Sequence, residues 1–161
     1  DVLHYNQRLK LSITELFTLW INNITGDTAQ KWVMTTNWVT ENPTGRSMQY
    51  HAHTNCLYSA VIYFDEVEPE HPPLQLINPL ASNINLGIQT EFKHANQFGA
   101  HTYECPIQTG LMIMFPSFLT HGHPAFKSDK NRKSFACNFF PIGRYGYGDS
   151  TLDTNWLQYD D

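Results

Sequence analysis

Three histidines have the types and spacing of a site that binds a metal ion. His51 and His53 form a His-Ala-His step directly before the apolar run Leu57–Phe64, and His121 follows a second apolar run at 111–115. Residues two apart on an extended chain face the same side, so His51 and His53 can approach one ion together. Imidazole is a ligand for iron, zinc, copper and nickel. The spacing therefore predicts a metal site made of His51, His53 and His121.

Arg132 comes eleven residues after His121 and would add an anion-binding group to this site. A guanidinium binds a carboxylate through two parallel hydrogen bonds, and the hydroxyl of Ser134 can add another. Tyr63, near the end of the run Leu57–Phe64, can supply a further contact. Such a group suits the distal carboxylate of a 2-oxo diacid whose other end chelates the metal. The alternative is that Arg132 is an ordinary surface charge in a basic segment.

The segment that begins at Arg132 alternates as a β-strand does. One face is small and polar, and it carries Arg132, Ser134, Ala136 and Asn138. The other face is apolar apart from its first residue, and it carries Lys133, Phe135, Cys137 and Phe139. We predict that the polar face lines a wet cavity, with Arg132 near the mouth and Asn138 among the residues that bind the diacid. The alternative is an ordinary exposed face.

The elements that would position these residues are one helix followed by many short strands. The pattern Ser12-Ile13-Thr14-Glu15 predicts a capping box with Ser12 as N-cap, and an amphipathic helix over about 12–24 that stops near Gly26. Strands are predicted at 31–40, 57–64, 74–77, 83–92, 102–105, 111–115 and 133–140, with Pro, Gly and Asn between them. This order predicts one mainly β domain over 1–161, with a barrel over about 31–140 and a tail over 141–161 that packs as a loop or short helix.

The composition narrows the class of protein. The 161 residues carry a formal net charge of −5 without a basic stripe, which disfavours nucleic acid as a partner. The three cysteines form no Cys-x-x-Cys pair, which favours a reducing compartment such as the cytoplasm. No apolar segment approaches the length of a membrane span. We therefore expect a cytoplasmic protein that acts on a small molecule or a peptidyl side chain; its oligomeric state leaves no signal in the sequence.

The remaining histidines and the tryptophans are expected to be structural. His4, His71, His94 and His101 lie in predicted loops or termini and are predicted at the surface. His123 is predicted as a loop histidine, although a metal set of His51, His121 and His123 stays open. Trp38 is expected in the core rather than at a binding site.

Three segments of the chain resemble the Fe(II)/2-oxoglutarate-dependent oxygenases, and most closely a branch of short prolyl-hydroxylase-like proteins found in phage and marine bacteria. The segments are H-A-H-T-N-C-L-Y-S-A-V-I-Y-F at 51–64, G-L-M-I-M-F-P-S-F-L-T-H at 110–121 and R-K-S-F-A-C-N-F at 132–139. The resemblance implies a double-stranded β-helix, also called a jelly roll or cupin-like fold. It implies one Fe(II), with 2-oxoglutarate bound through Arg132 and Ser134, and Tyr63 where related hydroxylases use a tyrosine. A phage protein would work in the cytoplasm of its bacterial host.

The resemblance also implies an activity, in which decarboxylation of 2-oxoglutarate to succinate is coupled to hydroxylation of a C–H bond. One residue departs from the family pattern, because His53 stands where an Asp or Glu is expected. Two alternatives therefore stay open. One is a cupin-like metal-binding protein that does not turn over 2-oxoglutarate, and the other is a three-histidine dioxygenase that uses oxygen without it.

Overall fold

In a computed structural model of the protein, two four-stranded antiparallel sheets face each other behind an N-terminal helix. The structure describes residues 1–26, 31–80 and 100–158. The strand predicted at 83–92 and the histidine at position 94 lie outside these residues. In spatial order, the major sheet consists of the strands Lys31–Asn42, Arg132–Ile142, Tyr58–Ile62 and Met112–Pro116. The minor sheet consists of the strands Met48–His51, His121–His123, Leu74–Ile77 and Thr102–Cys105. This arrangement is a jelly roll, as predicted.

The strand bounds agree with the alternation in the sequence at most positions. The strands are β1 (Lys31–Asn42), β2 (Met48–His51), β3 (Tyr58–Ile62), β4 (Leu74–Ile77), β5 (Thr102–Cys105), β6 (Met112–Pro116), β7 (His121–His123), β8 (Arg132–Ile142), β9 (Arg144–Tyr145) and β10 (Leu152–Asp153). β4 and β5 have the predicted bounds. β2 and β7 were not predicted as strands, because β7 has only three residues and a bulge in β2 breaks its alternation.

The helix α1 (Gln7–Thr25) begins five residues earlier than predicted. Asn6 is the N-cap, and its side chain accepts a hydrogen bond from the backbone N–H of Leu9 at 3.1 Å. The prediction of Ser12 as N-cap was therefore wrong, because Ser12 lies inside the helix. Gly26 ends the helix in the left-handed conformation (φ 71°), where glycine has no steric penalty, so the predicted stop was correct.

α1 packs on the outer face of the major sheet through Ile13, Phe17 and Ile21. The ring of Phe17 stacks on the ring of Phe139 with 3.9 Å between centroids and 5° between planes. Trp32 meets Phe17 edge-on, with 5.1 Å between ring centroids. This apolar layer covers one side of the sheet and leaves its other side to face the minor sheet.

The C-terminal tail forms a small ribbon rather than a plain loop. β9 and β10 pair antiparallel, and short 3₁₀ helices occupy Gly148–Ser150 and Asn155–Gln158. The buried hydroxyl of Thr154 donates to the backbone carbonyl of Pro141 at 2.7 Å, which ties the ribbon to the end of β8. No helix among the described residues is long and apolar enough to cross a membrane.

Candidate metal centre and anion site

The three histidines predicted as metal ligands come together between the two sheets. His51 ends β2, His53 follows two residues later, and His121 begins β7. Each offers one ring nitrogen, and these three atoms all lie within 4.8 Å of one another. The ring centroids are 5.0 Å apart for His51 and His53, 4.5 Å for His51 and His121, and 5.0 Å for His53 and His121. The cluster therefore has the donor set and size of a site for one metal ion.

A β-bulge in β2 directs His51 toward this cluster. Met48 pairs with His123 and His51 pairs with His121, so β2 uses three steps where β7 uses two. In a regular strand, residues three apart such as Met48 and His51 would lie on opposite faces. With the bulge between them, both line the same cavity.

Gly122, between the two inward histidines of β7, lets β2 and β7 approach closely. A Cβ on Gly122 would lie 2.9 Å from the carbonyl oxygen of Met48 and 3.0 Å from the ring of Tyr50. The Tyr50 ring therefore covers the glycine on the outer face, and its hydroxyl bonds the side chain of Gln75 across the sheet. The absence of a side chain at Gly122 thus contributes to the position of His51 relative to His121.

His53 is fixed by contacts on both sides of its loop. Its backbone N–H donates to the carbonyl of Ser117 at 3.0 Å, and Asn55 takes a left-handed conformation (φ 59°) that turns the chain into β3. The ring of Trp38 meets the ring of His53 edge-on, with 5.3 Å between centroids. Trp38, which we expected in the core, therefore lies at the wall of the metal site. Its inward register beside Ala136 is the signal that could have found it.

In two of the histidines, a hydrogen bond to one ring nitrogen leaves the other ring nitrogen available to bind a metal. Nδ1 of His51 lies 2.7 Å from the carbonyl oxygen of Gln49, and Nδ1 of His121 lies 2.9 Å from that of Leu119. A carbonyl only accepts, so both Nδ1 atoms carry the proton and both Nε2 atoms keep a lone pair. Backbone carbonyls thus select the tautomer that presents Nε2 to an ion.

Electrostatics also favours neutral imidazoles in this cluster. The pKa of His121 is lowered to about 4, mainly by burial and also by the charges of His51 and His53, while the hydrogen bond to Leu119 opposes the shift. Burial, with a contribution from His51, also lowers the pKa of His53. Since a metal binds only the unprotonated ring, these shifts keep His53 and His121 ready to bind near neutral pH.

Arg132 lies inside the barrel and not at its surface. It begins β8, is only 2% exposed, and donates from Nη2 to the hydroxyl of Tyr63 at 2.7 Å. Among the described residues no carboxylate forms an ion pair with it. Burial lowers the pKa of Arg132, but a guanidinium has so high an ordinary pKa that it stays charged. Burial raises the pKa of Tyr63 to about 12, so the phenol stays neutral. A buried cation without an anion is costly, which makes this a site for an anionic ligand.

One cavity of about 190 Å³ joins the metal cluster to the guanidinium. Its walls carry all three predicted metal ligands, and also Tyr63, Arg132 and Ser134. A wider depression of about 590 Å³ lies elsewhere, against Pro69, Pro73 and Pro106, and includes none of the three clustered histidines. The smaller cavity is therefore the candidate site, because it holds the groups that can do chemistry.

Asn138 lies away from Arg132. The two residues are six apart on one extended strand, which separates them by about 20 Å. The side-chain oxygen of Asn138 accepts from Ser59 at 2.8 Å, and its nitrogen donates to Thr36 at 3.0 Å. Ser59 also bonds the hydroxyl of Ser117 at 2.9 Å. The structure thus places Asn138 in a buried network beneath the loop that carries His53.

His71 and His123 are buried, which corrects two predictions. His71 accepts from the backbone N–H of Glu68 at 3.2 Å, and its other ring nitrogen lies 3.1 Å from the carbonyl oxygen of Lys130. The surface position predicted for His71 was wrong because the segment that carries Lys130, 59 residues further along the chain, packs over it. His123 is fully buried within β7, and the loop position predicted for it was also wrong. The metal cluster contains His53 rather than His123.

Comparison with known families agrees with this geometry. A family model described as "Putative 2OG-Fe(II) oxygenase" matches residues 36–138, which is more than half of the chain. The chain therefore belongs to the 2OG-Fe(II) oxygenase family. No curated protein matches the sequence.

Two solved structures share the fold. A 2OG-Fe(II) oxygenase family oxidoreductase from Burkholderia pseudomallei matches with a TM-score of 0.54 and 11% identity, over 76% of this chain and 50% of that one. A non-heme monooxygenase, described as a ThoJ-Ni complex, matches with a TM-score of 0.54 and 9% identity, over 86% of this chain and 52% of that one. The chain thus spans about half the length of these two structures. At such identities the likeness shows the jelly-roll fold.

Proposed function

We propose that this protein is an Fe(II)- and 2-oxoglutarate-dependent dioxygenase that hydroxylates a C–H bond of a small molecule or a peptidyl side chain. The observation that carries the proposal is the buried guanidinium of Arg132, which has no ion-pair partner among the described residues and faces the same cavity as the histidine cluster. A metal-binding protein without a carboxylate ligand has no need of such a group. The narrower assignment to the short prolyl-hydroxylase-like branch rests on the motifs at 51–64, 110–121 and 132–139.

The residues fit Fe(II) as the ion. Three imidazoles supply neutral nitrogen donors, so the protein leaves the charge of the ion uncompensated and favours an anionic ligand beside it. His51, His53 and His121 would hold the ion. Fe(II) with a bound 2-oxo acid would supply oxygen activation: 2-oxoglutarate would lose CO₂ and take one atom of O₂ to become succinate, and the other oxygen atom would form the hydroxyl group of the substrate.

The residues around the ion would bind and orient the diacid. The guanidinium of Arg132 would take the distal carboxylate, and Tyr63 and Ser134 would supply neutral hydrogen bonds to it. The small volume of the cavity favours a short diacid and excludes bulk water from the reacting end. The acidic net charge of −5 disfavours nucleic acid and leaves a small molecule or a peptide as the substrate class.

An anaerobic titration tests the proposal. Fe(II) and then 2-oxoglutarate are added to metal-free protein while the visible metal-to-ligand charge-transfer band is recorded. We expect the band in the natural protein and its loss or strong weakening in Arg132→Ala. Lys133→Ala is the matched control, because Lys133 is adjacent but pairs with Asp65 on the surface at 3.1 Å. Metal binding without the band in the natural protein would contradict the proposal and favour a metal-binding protein of cupin type.

The third histidine favours a second candidate. His53 replaces the acid of the family pattern, and a set of three histidines also suits a dioxygenase that uses oxygen without 2-oxoglutarate. Such an enzyme would react with oxygen equally well after Arg132→Ala. Oxygen consumption by the Fe(II) protein, compared between Arg132→Ala and Lys133→Ala, separates the two candidates.

A further inference from the structure

Three buried polar side-chain atoms on strands that surround the cavity have no hydrogen-bond partner among the described residues. They are Nε of Arg132 on β8, Nδ2 of Asn42 on β1 and Nε2 of His123 on β7. The fourth such atom in the described part of the chain belongs to Trp32, which packs on α1 at the outer face of the sheet. A buried polar group is normally paired, so three on the strands around one cavity point to a shared partner.

The strand register places Asn42 beside Arg132. The two residues are paired across β1 and β8, and their Cβ atoms in such a pair are about 5 Å apart when they share a face. They do share the inner face, because Trp38 and Thr40 on β1 and Ser134 on β8 all line the cavity. Asn42 Nδ2 is therefore a donor directed to the same interior as the guanidinium.

His123 offers the acceptor. Its Nδ1 lies 2.8 Å from the carbonyl oxygen of Pro124, so this nitrogen carries the proton and Nε2 carries a lone pair. The side chain faces inward beside Phe126, with 5.9 Å between ring centroids. Its partner across β2 and β7 is Met48, which lines the same cavity as Arg132. Nε2 of His123 is the one acceptor among the unpaired buried atoms of the described residues.

The partner must accept from two N–H groups and donate to one nitrogen. A water does both, whereas a carboxylate only accepts and would leave His123 without a donor. We propose that His123 and Asn42 are positioning residues for Arg132, which hold its Nε–H through one shared buried water. This inference rests on the proposed function, because the water contact at Nε leaves the Nη atoms of the guanidinium available to bind the carboxylate of the diacid.

Contacts on two sides of the guanidinium explain how a long side chain can bind a ligand in a fixed orientation. Tyr63 holds Nη2 on one side, and the water would hold Nε on the other. With both held, the guanidinium plane cannot rotate away from the metal cluster, and less conformational entropy is lost when the carboxylate binds. Loss of either contact should weaken diacid binding without touching the metal ligands.

The test compares His123→Leu, which removes the acceptor at similar volume, with His123→Gln, which keeps a side-chain oxygen. The direct readout is the ¹⁵N–¹H signal of Arg132 Nε in metal-free protein, assigned by its loss in Arg132→Lys. We expect slow exchange with solvent in the natural protein and in His123→Gln. In His123→Leu and in Asn42→Leu we expect exchange on the order of tenfold faster.

The second readout is the affinity for 2-oxoglutarate at saturating metal. We expect about tenfold weaker binding for His123→Leu, with unchanged metal affinity and partial recovery in His123→Gln. An Nε signal that is unchanged in both leucine variants would overturn the inference. If the natural protein binds no 2-oxoglutarate, the proposed function fails while the Nε signal still decides the inference. If His123→Leu does not fold, Asn42→Leu carries the same comparison.

Discussion

Alternate residues of β8 form two faces of the strand, and these two faces have opposite surroundings. The outer face packs Phe135, Cys137 and Phe139 against α1 in an apolar layer. The inner face presents Arg132 and Ser134 to a cavity, and no carboxylate in the part of the chain that the structure describes pairs with the buried guanidinium. The difference shows how a small domain separates stability from chemistry, because a substitution on one face need not disturb the other.

Among single substitutions, the largest loss of stability is expected on the outer face. Phe139→Ala removes a fully buried ring stacked on Phe17, and such truncations lower the free energy of unfolding by about 3–5 kcal/mol. Denaturant unfolding of metal-free protein measures the loss. Phe118→Ala is the control, because Phe118 is 67% exposed. If the folded fraction of Phe139→Ala also lost 2-oxoglutarate affinity, the two faces would not be independent.

A fall in pH should also lower the stability of the folded protein, through two buried histidines. Burial lowers the pKa of His121 and of His123 to about 4 in the folded protein, against 6.5 for a free imidazole. Between these values the unfolded chain binds more protons than the folded one, so stability falls as pH decreases from 6.5 to 4. Each imidazole contributes about 3 kcal/mol to this loss. Unfolding of metal-free protein across this range measures it, and His123→Gln should show a shallower dependence.

The close approach of β2 and β7 should have an intermediate effect. Gly122→Ala places a Cβ 2.9 Å from the Met48 carbonyl, and the strands must separate slightly. We expect a loss of about 1–3 kcal/mol in unfolding free energy together with weaker metal binding. Adding Tyr50→Ala should recover part of both, which a double-mutant cycle measures. Additive effects would mean that the Tyr50 ring takes no part in the contact.

The smallest effect is expected at Asn138, where sequence and structure assign different neighbours. Asn138→Ala leaves Ser59 and Thr36 without their partner and should cost about 1–2 kcal/mol of stability. We expect the affinity for 2-oxoglutarate to stay within about twofold of the natural protein, since the residue lies about 20 Å along the strand from Arg132. A tenfold loss of affinity would favour the role predicted from the sequence.

The parts of the fold that could be predicted from the sequence are those with a periodic residue pattern over several positions. Alternation located β8 and its two faces, and the His-Ala-His step located two of the three histidines of the metal cluster. The start of α1 was missed because Asn6 and Ser12 both precede helix-forming segments, and a capping pattern does not show which one the chain uses. The burial of His71 and His123 depends on contacts with residues far along the chain, which no local pattern carries.

The bulge in β2 has a consequence for insertions and deletions in the gene. Loss of the Gln49 codon would leave Met48 and His51 opposite His123 and His121, because the bulge contains the one surplus residue. The same loss would remove the carbonyl that Nδ1 of His51 contacts at 2.7 Å. An in-frame deletion of this codon would therefore keep His51 pointing inward but would no longer fix which of its ring nitrogens carries the proton. We expect such a variant to fold and to bind the metal more weakly.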